Sequence, residues 1–357
     1  LIHSHMSILN DKEVILAARL AEIAPSGLTR SLFLTSGSDS NEAAIAIAKR
    51  YTGGYEIASP AVSFHGQSEA ARAVTFTGWR QGYGPYSPGN YPMIAPYRYR
   101  CRFCQTKSDC DYTCLNTSFE LLDAQADGQM AAVITEPLFS AGGVIDLPEG
   151  WLKELKDLCR NRGMLLILDE AQTGLAKLGS MWASDQEGVV PDICTISKHF
   201  GGGVAVSAVM TTDEIESQVS NTDFVVAHSH SNDPLTSNAA IASIDIILEQ
   251  NLVNVAKEIG EYWRGHLDVL RNNHTIIGDI RGRGLLQGIE LVKDRVTKEP
   301  AYTEGREIGR RCLDNGLIFS LRRGGSVIRF VPPFTTTPDQ MDLAAAILDQ
   351  ALKEATF

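Results

Sequence analysis

The 357-residue sequence lacks several features that would mark other classes of protein. Its apolar runs are strand-length, short of the roughly 20 residues that a membrane-spanning helix needs. Positive charge is scarce: 32 Lys and Arg stand against 43 Asp and Glu, a net charge of −11. With no basic cluster, nothing in the chain attracts nucleic acid or an anionic membrane, and small molecules are the expected partners. No charged leader with an apolar core opens the sequence, so no signal peptide is expected. The expected compartment is cytoplasmic, although the chain begins with Leu1 and not with Met. Repeats and low-complexity tracts are missing too. Apolar residues are plentiful, at 44%, enough in a chain of this length for a large core divided between two domains.

Cysteine is sparse and odd in number. Of seven, Cys159, Cys194 and Cys312 fall inside apparent helices or strands and read as small buried hydrophobes. Cys101, Cys104, Cys110 and Cys114 cluster as C-x2-C-x5-C-x3-C. Four thiolates this close could hold zinc or an iron–sulfur cluster, but the spacings are shorter than those of usual zinc modules. Two disulfides would need an oxidising compartment. A loop of reduced, uncommitted thiols is the expected reading.

The chemistry concentrates at the ends of two apolar runs. Met164 to Leu168 is followed by Asp169, Glu170, Ala171 and Gln172, and Ile193 to Ser197 is followed by Lys198 and the triplet Gly201 to Gly203. Runs without polar alternation suit strands buried on both faces of a parallel sheet, and ligands bind at the carboxyl ends of such strands. An Asp and a Lys so placed, 29 residues apart, meet the needs of pyridoxal phosphate (PLP). The lysine forms the Schiff base, and the carboxylate keeps the pyridine nitrogen protonated. The plainer alternative is a surface lysine and an aspartate that caps a helix.

Around these runs, strands and helices alternate. Helices are expected over 11–24, 41–51, 118–127, 148–163, 238–250, 252–271, 306–314 and 338–354, and strands over 31–34, 55–58, 131–135, 205–210, 276–280, 285–292 and 327–330. The Gly-, Pro- and Tyr-rich stretch 78–100 reads as a long ordered loop. Thr35 to Asn41 is a run of small polar residues before a helix. Its N–H groups could hold an anion at the positive helix end, or its serines could simply cap the helix.

Eight segments in order, SGSDSNEAA, SFHG, EPLFSAGG, LDEAQTG, ISK, HSHSNDP, IRGRGLL and IRFVPP, resemble the class III (ornithine/ω-amino acid type) aminotransferases. Within that family they are most similar to the 2,2-dialkylglycine decarboxylase branch. The resemblance implies a fold-type I α/β architecture: a large PLP-binding domain (1–246) with a mainly parallel sheet flanked by helices, and a smaller α+β C-terminal domain (247–357). The family's N-terminal segment, which completes the small domain, is expected to be missing here.

The resemblance also implies roles for particular residues. Ser36, Gly37 and Ser38 would cradle the cofactor phosphate. Phe64, where the decarboxylase branch has tryptophan, would stack on the ring. His65 would stand near the reacting carbon or be purely structural. Asp169 would pair with the ring nitrogen, Gln172 with the phenolic oxygen, and Lys198 would carry the cofactor. Glu136 would face the active site, and Arg329 would bind the substrate carboxylate. Ser229 would reach the phosphate of a partner subunit, which implies a homodimer with shared sites, with tetramers left open. Ser4, Ser229, Ser231 and Asp233 would hold K+ or Na+, unless Asp233 only hydrogen-bonds its own turn. The implied activity is decarboxylation-coupled transamination, with general class III transamination and a non-catalytic PLP fold as the other readings. Ala141 stands where the decarboxylase branch has a serine.

Overall fold

The structure is a computed structural model and describes residues 1–5, 7–104 and 109–355. In chain order its strands are β1 (Arg30–Leu34), β2 (Glu56–Pro60), β3 (Asn90–Met93), β4 (Met130–Thr135), β5 (Leu138–Phe139), β6 (Ile145–Asp146), β7 (Leu165–Asp169), β8 (Ile193–Ile196), β9 (Ser207–Thr211), β10 (Ile277–Arg283), β11 (Leu286–Leu291), β12 (Ser320–Arg322) and β13 (Val327–Phe330). The chain divides into two compact units: 1–137 with 147–175 and 181–250, and 138–146 with 176–180 and 251–357. Among the described residues, no single helix is long and apolar enough to cross a membrane.

The first unit is built on a seven-stranded sheet in the order β1-β9-β8-β7-β4-β2-β3. The pairs β2–β3, β2–β4, β4–β7 and β7–β8 are parallel, whereas β9 runs antiparallel to both β8 and β1. Every residue of β7 and β8 is buried, which is why these strands read as unbroken apolar runs. Helix α1 (Asp11–Ile23) opens the unit, and helix α2 (Gly37–Thr52) packs on the sheet. Small side chains on α2, among them Ala43, Ala44 and Ala48, let it lie against Ile57, Ile134, Ile167 and Ile193 in one core. Gly53, at φ 73°, ends α2 in the left-handed conformation that glycine adopts without strain.

Several sequence expectations need correction, among them the helix expected from Arg306, which starts at Tyr302. The stretch 78–100 contains the edge strand β3, which pairs with β2 and places Pro92 opposite Ser59. A proline is tolerated there because an edge strand has one unpaired side. The helix expected from Ser118 instead spans Thr113–Gln125 and takes in Cys114. The helix expected from Asn238 starts at Pro234, the first-turn position that suits a residue without an N–H.

The second unit contains the antiparallel sheet β10-β11-β13-β12 with the helices Leu252–Asn273, Tyr302–Asp314 and Pro338–Glu354. Trp263, Leu267, Ile289, Ile328, Phe330 and Leu348 belong to its core. Glu290, fully buried, is paired with Arg281 at 2.6 Å.

Candidate active site

β7 ends at Asp169, and Glu170 follows it directly; the two carboxylates point apart, as a period of two requires. Glu170 turns to the scaffold: it accepts from Thr173 Oγ1 at 2.6 Å, Ser184 N at 2.9 Å and Ala183 N at 3.1 Å, and burial pushes its carboxyl up. Asp169 turns into a cleft of about 400 Å³. The cleft is lined by the start of α2 (Ser36, Gly37, Ser38, Asn41), by Phe64, His65 and Gly66, by Ala171, and by Ser197 and Lys198.

Asp169 is 5% exposed and hydrogen-bonded on both oxygens. Oδ2 accepts from Asn41 Nδ2 at 2.8 Å and from His65 Nδ1 at 2.9 Å, and Oδ1 accepts from Ala171 N at 3.1 Å. Burial pushes this carboxyl up. The His65 hydrogen bond and charge, the Lys198 ammonium and the Ala171 N–H outweigh it and hold the group below the ordinary carboxylate value. An ionised carboxylate only accepts, so His65 Nδ1 carries a proton. His65 Nε2 then meets Ser59 Oγ at 3.2 Å, and His65 N donates to Thr75 Oγ1 at 2.9 Å, which fixes the ring. Asn41 is locked in turn, its Oδ1 accepting from Thr195 Oγ1 and its Nδ2 donating to His65 O.

Asn41 is the partner that the sequence reading did not single out. In the structure it is 1% exposed, on the helix face that also carries Ala44 and Ala48; the sequence showed only its spacing to those alanines, which does not point to Asp169.

Lys198 follows β8 at φ 55°, opening a short 3-10 turn, and its side chain is exposed at the cleft. Ser36 caps α2, accepting from Asp39 N and donating to Asp39 Oδ2 at 2.8 Å, so the capping role weighed for this loop is real. Gly37 and Ser38, the first residues of α2, present N–H groups that have no acceptor within the helix. A Cβ on Gly37 would stand 2.8 Å from Ser197 Oγ, so the backbone approaches here more closely than a side chain allows. A helix N-terminus for a phosphate, an aromatic face at Phe64, an ionised buried aspartate and a lysine share one cleft, and this donor set fits PLP.

The other expected residues lie outside the cleft lining. Glu136 follows β4, is 6% exposed and accepts from Phe64 N at 2.9 Å; burial pushes its carboxyl up to about 7. Gln172 is half-buried in the turn after β7, and Ser229 is exposed. In the second unit, the Arg329 guanidinium donates to Ser320 Oγ at 2.9 Å and to Ser140 Oγ at 2.8 Å.

Ser4 and Ser231 are buried, but an alkali cation would find Asp233 already engaged, one oxygen facing His3 and the other His230. The four clustered cysteines are free, and burial pushes the Cys104 thiol up to about 11 and the Cys114 thiol up to about 12. Among the described residues, these cysteines form no group with three ligand atoms within 4.8 Å of one another.

The family model described as aminotransferase class-III matches residues 1–352, and the chain belongs to that family. It is 41% identical to an uncharacterised aminotransferase of Schizosaccharomyces pombe over 99% of this chain and 80% of the relative. It is 34% identical to a leucine/methionine racemase of Thermococcus litoralis over 96% of this chain and 77% of the relative. Among solved structures, a thermostable (S)-enantioselective ω-transaminase from Thermomicrobium roseum superposes with a TM-score of 0.91 at 29% identity, covering 100% of this chain and 82% of that one. Members of the family use PLP and process small amino compounds.

Proposed function

We propose that this class III aminotransferase carries out decarboxylation-coupled transamination: a 2,2-dialkylglycine such as 2-aminoisobutyrate reacts with pyruvate to give acetone, CO2 and alanine. The equation balances without water or an external oxidant. The observation that carries the chemistry is the ionised Asp169, held by His65 and Asn41, in the same cleft as Lys198. The choice of donor rests on the resemblance of the eight ordered segments.

When bound, PLP supplies an electron sink for the bond broken at the substrate α-carbon. Lys198 Nζ would hold the cofactor and, once displaced by the substrate amine, move a proton at the reacting carbon. Asp169 would hold a proton on the ring nitrogen, with His65 and Asn41 fixing its charge and direction. Gly37 and Ser38 N–H would hold the phosphate, Gln172 would reach the phenolic oxygen, and Phe64 would exclude water from the ring face. Arg329 would take the substrate carboxylate as a bidentate fork. A 2,2-dialkylglycine has no α-hydrogen, so loss of its carboxylate is the route by which electrons leave the α-carbon. Ser229 would complete the phosphate site of a second copy in a homodimer.

A second reading is general class III transamination of an ω-amine or amino acid. Phe64 and Ala141, which replace the tryptophan and serine of the decarboxylase branch, favour it. The test is release of CO2 and acetone from 2-aminoisobutyrate with PLP and pyruvate, with Lys198→Ala as control. Release that depends on Lys198 supports the decarboxylase. Alanine formed from other amine donors, with no CO2, leaves the second reading.

A further inference from the structure

Away from the cleft, two imidazoles converge on one buried carboxylate. His3 Nδ1 lies 2.6 Å from Asp233 Oδ1, and His230 Nδ1 lies 2.8 Å from Asp233 Oδ2. The two rings are 4.8 Å apart between centroids and tilted by 56°. Among the described residues, this is the group of three His, Cys, Asp or Glu side chains whose ligand atoms all fall within 4.8 Å of one another. The Asp233 side chain is 6% exposed, and those of His3 and His230 are 50% and 63% exposed.

Asp233 occupies the N-cap of the helix Pro234–Glu249, yet its side chain makes no capping bond. An aspartate there ordinarily turns back onto the helix N–H groups. Here both oxygens face imidazole nitrogens, and Ser4 N adds a 3.3 Å bond to Oδ1. Two residues earlier, the Ser231 hydroxyl is buried without a hydrogen-bond partner.

We propose that His3, His230 and Asp233 form a site for a divalent transition-metal ion of the zinc class, which clips the segment around residue 3 to the loop 228–233. Two imidazole nitrogens with one carboxylate suit Zn2+, Co2+ or Ni2+, whereas alkali and alkaline-earth ions favour all-oxygen sets. Ligands about 2.0–2.1 Å from a tetrahedral ion stand roughly 3.3 Å apart. The two nitrogen–oxygen separations, 2.6 and 2.8 Å, therefore have to open by about 0.5–0.7 Å, which exposed imidazoles achieve by small side-chain rotations. An imidazole binds through Nδ1 when its neutral form carries the proton on the outer Nε2. The solvent side leaves room for water as a fourth ligand, the pattern of three protein ligands with one open position. The bridge joins residues 230 positions apart and holds the turn that carries Ser229. It does not depend on the cofactor reading.

The test is titration of the PLP-loaded protein with Co2+, read by the visible d–d bands of the bound ion, together with thermal unfolding with and without Zn2+. The expected result is one equivalent per chain with nitrogen–oxygen bands and a higher Tm with Zn2+. His3→Gln and His230→Gln keep a donor to Asp233 but remove the metal ligand. Each should weaken Co2+ binding by more than about 100-fold, beyond the range that outer-shell changes cost, and abolish the Zn2+ gain. Four outcomes overturn the proposal: no binding, bands unchanged in both variants, sulfur-to-cobalt charge-transfer bands that place the ion on the cysteines, or a Tm gain with K+ and none with Zn2+.

Discussion

His65 and Asp169 form a buried pair, Nδ1 to Oδ2 at 2.9 Å, in which the ring fixes the charge of the carboxylate. Without the ring, two of the influences that hold the Asp169 carboxyl down against burial are gone, and the carboxyl rises from its wild-type value. His65→Ala should lower kcat by about 10- to 100-fold, the worth of one hydrogen bond to a charged group. In the wild type the folded value of Asp169 is depressed, so its contribution to stability is full above the ordinary carboxylate range and is lost as pH falls through the folded value. Acid unfolding of wild type and variant, followed by circular dichroism, checks this: the His65→Ala protein should have lost the part of the acid transition that Asp169 supplies.

Glu136 titrates in the opposite sense. Burial raises it to about 7, so between the ordinary value of 4.5 and about 7 the folded chain binds a proton that the unfolded chain has released. Its contribution is therefore full below that window and declines as pH rises through it. Glu136→Gln keeps an acceptor for Phe64 N and removes the titration. Denaturant unfolding at pH 8 should find the variant more stable than wild type by an amount on the order of 2–3 kcal/mol, with a flatter profile between pH 5 and 7 on that same linkage.

Gly66 stands at φ 144°, and a Cβ there would lie 2.9 Å from both Ala71 Cβ and Ser38 Cβ. Gly66→Ala should cost about 1–3 kcal/mol by overpacking and strain. Because it also pushes Ser38, the dissociation constant for PLP should rise together with the drop in Tm. Fluorescence titration with PLP reads the first, and a thermal scan the second.

Arg329 offers a planar fork already steadied by Ser320 and Ser140. Arg329→Lys keeps the charge and loses the bidentate geometry. With carboxylate-bearing donors, KM should rise by about 10- to 100-fold, as expected for a lost charged hydrogen bond, while simple amines without a carboxylate keep their KM. Steady-state kinetics with matched pairs of donors measures the difference.

Asp169 and Lys198 were legible in the sequence because each ends an apolar run, and a charge at the end of a buried strand stands out. The class III family was legible from the order of eight segments. The web behind Asp169 was not: Asn41, His65 and Thr195 are brought together by the adjacency of β7 and β8 and by the packing of α2, neither of which a local pattern encodes. β3 was hidden because Pro92 looks like a breaker until the strand is known to lie on an edge. The reversed direction of β9 left no local trace, since a buried strand reads the same either way. His3 and His230 carry no sequence signal as metal ligands, because nothing local joins residues so far apart in the chain.

Neighbouring carboxylates at the end of β7 hold unlike posts, Asp169 in the cleft and Glu170, the next residue, gripping Thr173, Ala183 and Ser184. Their side chains differ by one methylene, and each site is measured to its own reach. Exchanging the two acids would conserve composition and charge, yet would leave one carboxylate short of its N–H groups and crowd the other against His65. The dipeptide is thus a ruler as much as a pair of charges, and its order resists the substitution that looks mildest on paper.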